Sequence, residues 1–123
     1  IKGDEPRLFH VYPQGNFIEA CEDTPYFQIG ESKYGKPILD RIIDFETPLE
    51  RALQCSLISM DSTLRSNLSV GMPLDVVSYL NDALSSPGIR RIDETNEDFL
   101  KLRQAWSEGI RALFDSIPLM VKD

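Results

Sequence analysis

From Arg65 to Val70 the chain reads RSNLSV, and its two serines and one asparagine are polar residues set between two apolar patterns. The pattern before them is helical and the one after them is extended. Hydroxyls and a carboxamide in such a corner can satisfy the last carbonyls of the helix and turn the chain. They can equally be held in place to orient a reacting group, since each offers both a donor and an acceptor. Taken alone, Ser66, Asn67 and Ser69 leave both readings open.

Other chemistry is thinly supported. The sequence contains no GxSxG, HExxH, P-loop or GxGxxG pattern. The stretch Gly30-Glu31-Ser32-Lys33-Tyr34-Gly35-Lys36 has glycines and lysines at the wrong spacing for a phosphate loop, and Glu31 would repel the ligand. The single histidine, His10, lies in an extended stretch with no evident partner, so a structural role is expected and a Ser/His/Asp triad is not. Asp93 and Glu94 read as charges at a helix start. Cys21 and Cys55 belong to no CxxC pair and are expected to be two buried thiols in a reduced cytoplasm. A His/Cys metal site would consume nearly all of these residues, so no metal and no cofactor is expected.

Composition narrows the class further. At 123 residues, 41% hydrophobic and 27% charged, the chain is expected to form a single globular domain, 1–123. Thirteen basic against twenty acidic residues give a formal charge of −7, which argues against nucleic acid as a partner. No apolar run approaches the roughly 18 residues of a membrane span, so no membrane partner is expected. The charged start IKGDEPRLF lacks the apolar core of a signal peptide, and cytoplasmic localisation follows as an expectation. Ile1 is not an initiator methionine, so preceding polypeptide is expected.

The elements that must position the polar corner can be read from periodicity. RLFHVYPQGNFIEA alternates about Pro13-Gln14-Gly15-Asn16 and predicts a hairpin in which Gly15 takes the left-handed residue. Pro25–Ile29 is a further extended stretch. KPILDRII predicts a short helix opened by Pro37. Thr47-Pro48-Leu49-Glu50 matches a capping box. The helix that follows carries Leu49, Leu53, Leu57, Met60, Leu64 and Leu68 as one apolar stripe, beside the small residues Ala52, Ser56, Ser59 and Thr63 that permit close packing. It is expected to end near Ser66–Asn67. LDVVSYL predicts a strand buried on both faces, and Ile89–Ile92 its return strand. Thr95 or Asn96 caps a last helix whose apolar face is Phe99, Leu102, Trp106, Ile110, Leu113 and Ile117. The order β-β-α-α-β-β-α, with hairpins rather than βαβ units, predicts an α+β fold.

Three long phrases carry a family resemblance: VYPQGNFIEA, YFQIGESKYGKPILDR and TPLERALQCSLISMDSTLRSNLSVGMPLDVV. Together with the tyrosine-bearing strand that follows, they resemble the bacterial proteasome-type peptidases of the ancestral beta-subunit family, over the span 7–92. The resemblance implies an N-terminal nucleophile hydrolase with a four-layer αββα sandwich. It implies a threonine nucleophile that becomes residue one after processing, with its own α-amino group as base, helped by a lysine and an aspartate. Those groups belong to the first half of the family's chain, and this sequence resembles the second half. By itself it is therefore expected to be inactive.

The same resemblance bears on the polar corner. Proteasome beta subunits have Arg-Asp-x-x-Ser-Gly there, and the aspartate and serine hydrogen-bond the terminal threonine. Ser69 matches that serine, while Ser66 falls at the aspartate position with Asn67 beside it. A neutral hydroxyl can orient an amine but cannot hold its charge as a carboxylate does. A further supporting serine of the family sits in a Gly-Ser-Gly turn. The corresponding turn here is Gly30-Glu31-Ser32, which implies Ser32 as the candidate and makes Glu31 the direct positional match. The partners implied are a peptide or protein substrate and further copies in a ring-like or open-ring homo-oligomer. The alternative is a non-catalytic, self-associating interaction module. If the chain is half a sandwich, strand residues such as Phe17, Phe27, Val76 and Val77 are expected to be left uncovered.

Overall fold

The computed structural model describes residues 2–121; the expectation concerning Ile1 falls outside them. The elements follow the expected α+β order: β1 (Phe9–Val11), β2 (Phe17–Glu19), α1 (Lys36–Ile42), α2 (Leu49–Ser66), β3 (Leu74–Val77), β4 (Ile89–Ile92) and α3 (Glu97–Ser116). The strands form two separate antiparallel pairs, β1 with β2 and β3 with β4. In the first pair Val11 faces Phe17, and Gly15 closes the turn at φ 90°, as the alternation about Pro13–Asn16 requires. The stretch 25–29, expected to be extended, joins neither ladder.

The best-packed region lies where α2, the second hairpin and the start of α3 meet. Leu74, Ile92 and Phe99 are buried there, with Leu57, Met60, Leu64, Val76 and Leu102 packed against them. Burying one such side chain is worth about 1.5–3 kcal/mol. Phe99 is placed by the helix start, where the Asn96 carboxamide oxygen accepts the Phe99 N–H at 2.9 Å and Glu97 and Asp98 face the positive end of the helix dipole. Asn96 is thus the cap.

Helix α1 packs on the small-residue side of α2. A Cβ added to Gly35 would lie 2.0 Å from Ser59 Oγ and 3.2 Å from Ser59 Cβ, so the two backbones approach as closely as glycine and serine allow. Thr63 Oγ donates back to the Ser59 carbonyl at 3.0 Å, satisfying a buried hydroxyl within the helix. Of the small residues, Ser59 and Thr63 are buried as close packing requires, whereas Ala52 and Ser56 line an open groove on the other side of the helix.

Four expectations are corrected. The capping box does not form: Pro48, not Thr47, is the residue before the first helical turn, and no side chain caps it. Thr47 sits one position too early and turns back instead, accepting the Asp44 N–H at 2.9 Å. The leucine stripe of α2 is not its most buried side; Cys55, Ile58, Ser59, Asp61 and Thr63 are buried, whereas Leu68 is fully exposed. The stripe's first half, Leu49, Leu53 and Leu57, borders an open groove of about 560 Å³ against Pro73–Ser78. Strand β3 is buried on one face only, with Leu74 inside and Val77 at 55% exposure, because the sheet has helical cover on one side alone. Cys21 is exposed and only Cys55 is buried; both are free thiols.

The uncovered apolar surface is broad. Phe17 and Val77 are exposed, and Phe27 and Val76 are half-buried. On α3 Phe99 is buried, whereas Leu113 and Phe114, and Ile117 just past its end, lie open. No helix among the described residues is long and apolar enough to cross a membrane.

Candidate active-site corner

Ser66 is the last residue of α2, Asn67 its C-cap, and Ser69 lies in the turn beyond. The Asn67 N–H donates to the Thr63 carbonyl at 2.9 Å, ending the helix. The carboxamide then does the turning: its Oδ1 accepts the Ser69 N–H at 2.9 Å. The polarity of the corner therefore serves the chain's own geometry through Asn67, while Ser66 and Ser69 remain exposed at the surface.

The other half of the Asn67 amide reaches across the fold. Asn67 Nδ2 donates to Glu31 Oε2 at 3.1 Å, joining positions 36 residues apart. The second oxygen of Glu31 accepts the Lys33 N–H at 3.0 Å. One carboxylate thus ties the Gly30-Glu31-Ser32 turn to the Ser66–Ser69 corner. The packing of α1 on α2 brings the two ends together, and the Lys36 N–H accepted by the Ser32 carbonyl at 3.0 Å opens α1 directly after the turn.

The three candidate serines do not converge on one cavity. Ser32 is half-buried and borders a cavity of about 430 Å³ with His10, Tyr26, Gln28, Lys36 and Asp40. Ser66 borders a separate groove of about 270 Å³ between α2 and α3, lined by Asp61, Arg65 and Trp106 among others. Ser69 stands in the exposed turn just after α2.

Two charged groups border the candidate serines, one at the Ser32 cavity and one at the Ser66 groove. Tyr26, from the stretch before α1, donates its hydroxyl to Asp40 on α1, and Lys36 Nζ donates to Asp40 at 3.0 Å and to the Tyr26 oxygen at 3.4 Å. Burial, followed by the bond to Asp40, pushes the Tyr26 phenol up. The bond from Tyr26, followed by that from Lys36, holds the Asp40 carboxyl low. The bond to Asp40 raises the Lys36 ammonium. His10 is stacked 4.5 Å from Tyr12 and lies 5.5 Å from Phe27.

On the other side, Asp61 is almost wholly buried at 1% exposure and takes Arg65 Nε at 3.3 Å and Arg103 Nε at 2.6 Å. A buried carboxylate needs such partners. This bridge fastens the last turn of α2 to α3 and so fixes where the corner starts. Sequence reasoning missed both Asp61 and the bridging role of Glu31. Asp61 and Arg65 stand at i,i+4 on one helix, a visible signal; Arg103 and the Glu31–Asn67 contact depend on tertiary approach.

Solved structures place this arrangement among known proteins. The chain matches an ancestral beta-subunit (Anbu) protein from Yersinia bercovieri with a TM-score of 0.92 and 58% identity, over 100% of this chain and 52% of that one. The chain belongs to the Anbu family. A helical assembly of the Anbu complex from Pseudomonas aeruginosa matches with a TM-score of 0.93 at 52% identity, over 99% of this chain and 51% of that one. Anbu from Hyphomicrobium sp. strain MC1 matches with a TM-score of 0.92 at 52% identity, over 99% and 52%. The chain thus spans about half the length of these Anbu structures. No protein-family model matches it, and no curated protein does.

Proposed function

We propose that the chain is the C-terminal portion of a proteasome-like, threonine-type peptidase subunit, acting on peptide or protein substrates in the cytoplasm. The observation that carries this reading is 58% identity to an Anbu protein over the whole of this chain and half of the other. The nucleophile then lies on the remaining portion, as a threonine that is residue one of the processed subunit. Its hydroxyl attacks the scissile carbonyl, and its own α-amino group takes the hydroxyl proton. That proton passes to the departing amine, and water then hydrolyses the ester left on the threonine. Ser69 has the task of hydrogen-bonding the amine and fixing its direction; Ser66 and Ser32 border separate surfaces and are not assigned to the same contact.

The open corner and the uncovered apolar strands support the same reading, since a catalytic half must leave both accessible to the portion it completes. Self-association into a ring-like or open-ring assembly follows from the same relationship, the Pseudomonas aeruginosa relative being a helical assembly.

The test is hydrolysis of a fluorogenic peptide by the complete subunit, with Ser69→Ala beside it. Losing one hydrogen bond to a charged group costs about 1.5–3 kcal/mol, roughly a 10- to 100-fold fall in rate. The melting temperature is expected to stay the same. Equal activity at equal folded fraction removes Ser69 from the mechanism. A complete subunit that assembles, measured by light scattering, but hydrolyses nothing leaves the non-catalytic interaction module in its place.

A further inference from the structure

We propose that the groove between α2 and α3 binds an oxyanion of the phosphate class, free or as a small monoester. Its walls are two helical faces of similar make. Ser62, Arg65 and Ser66 come from α2, and Trp106, Ser107 and Arg111 from α3. Positions three and four apart share one side of a helix, so each wall presents an arginine together with serine hydroxyls. The local charge opposes that of the chain as a whole, which is −7: Arg65, Arg103 and Arg111 meet one carboxylate, Asp61.

That carboxylate is already engaged. Asp61 takes Arg65 Nε at 3.3 Å and Arg103 Nε at 2.6 Å, and only 1% of it is exposed. On α3, Glu108 takes Gln104 Nε2 at 2.9 Å, and Asp115, one turn beyond Arg111, makes no ion pair with it. The donors, by contrast, are idle. Among the described residues Arg111 makes no ion pair or hydrogen bond, Arg65 uses its Nε alone, and the side chains of Ser62, Ser66 and Ser107 bond nothing. Two guanidinium forks and three hydroxyls, approaching from two walls, suit a ligand with acceptors in several directions. A phosphate monoester offers three strong acceptor oxygens, whereas a carboxylate offers two in one plane. At about 270 Å³ the groove falls just below the roughly 300–1,000 Å³ of drug-sized ligand sites, as a small anion requires. The half-buried Trp106 ring gives the organic part of a monoester an apolar surface to lie on. Such binding stands whether or not the subunit hydrolyses peptides.

The test is isothermal titration of the complete subunit with inorganic phosphate and with phenyl phosphate, in low salt. Saturable binding at one site per subunit is expected, with phenyl phosphate the tighter of the two; tighter binding of inorganic phosphate makes the free anion the ligand. Arg111→Gln is expected to weaken binding about tenfold or more. Its melting temperature should match the wild type, because Arg111 has no partner in the fold to lose. Arg91→Gln removes the same charge from the second hairpin and is expected to leave the affinity as it is. Equal losses in the two variants would mean general attraction to cationic surface and would overturn the site. Titrations with no saturable heat for either anion would overturn it too. Should Arg111→Gln fail to fold, Ser62→Ala with Ser107→Ala alters no charge and is expected to weaken binding about tenfold; unchanged affinity in that double variant overturns the proposal.

Discussion

The two hairpins are built alike and buried differently. Each is a short antiparallel pair, and each carries an Arg–carboxylate fork across or beside its strands: Arg7 with Glu19 at 2.5 and 2.8 Å, and Arg91 with Asp75 at 2.8 and 2.9 Å. Yet β3–β4 presents Leu74 and Ile92 to a core shared with Phe99, whereas β1–β2 leaves Phe9, Val11, Phe17 and Ile18 exposed. The difference lies in neither propensity nor turn chemistry. The second hairpin has helices α2 and α3 of this chain to lie against, and the first has no such cover. A strand's apolar face is thus a demand for a partner, and where this chain does not meet it the face lies open as apolar surface.

The sharpest way to break this comparison is to truncate one aromatic on each side. Phe99→Ala is expected to destabilise the chain by about 3–5 kcal/mol, because it empties a filled core site. Phe17→Ala is expected to change stability by less than about 0.5 kcal/mol, as surface substitutions do. Urea denaturation followed by circular dichroism measures both. If the remaining portion covers the first hairpin, the cost of Phe17→Ala rises when the same pair is compared in the complete subunit. Equal costs for the two substitutions in this chain alone would contradict the division.

A middle-sized effect probes the helix layer that holds the site. Gly35→Ala puts a methyl group 2.0 Å from Ser59 Oγ and 3.2 Å from the Ser59 carbonyl oxygen. Prying α1 from α2 in this way is expected to cost about 1–3 kcal/mol. Ser59→Gly in the same chain should return much of it. The Glu31–Asn67 contact lies at this joint, so loss of activity in Gly35→Ala beyond its loss of stability would show the two turns moving apart.

The smallest expected effect tests what the hairpins share. The hydrogen bond from Arg91 holds the Asp75 carboxyl below its ordinary range, and that from Arg7 does the same to Glu19. A carboxyl whose folded pKa is depressed adds stability above its unfolded value. That stability is lost as pH falls through the folded value. Asp75→Asn and Glu19→Gln should therefore both flatten the acid side of a melting-temperature profile, and by similar small amounts, because both pairs are solvent-exposed. A large difference between them would mean that burial, and not only packing, separates the hairpins.

Much of this fold was legible from residue order. The Gly15 turn, Pro37 at the start of α1, the Asn96 cap and the end of α2 at Ser66 all rest on backbone chemistry within a few residues, and all appear where expected. Local signals failed where a competing neighbour decided the outcome. Thr47 bonds Asp44 rather than capping α2, and the leucine stripe of α2 was outranked in burial by the small residues that let α1 approach. The candidate site was legible only in its parts. Ser32, Ser66 and Ser69 were named from a resemblance, but they border different surfaces.

Sequence alone therefore determined the kinds of element, their order and the family, because periodicity, caps and long shared phrases are properties of contiguous residues. Tertiary structure decided that Glu31 meets Asn67, that Asp61 gathers Arg65 and Arg103, and that one hairpin is covered while the other is not. Each of these depends on which distant segments come within a few ångströms. That is set by how helices and strands pack together, and no stretch of residues records it by itself.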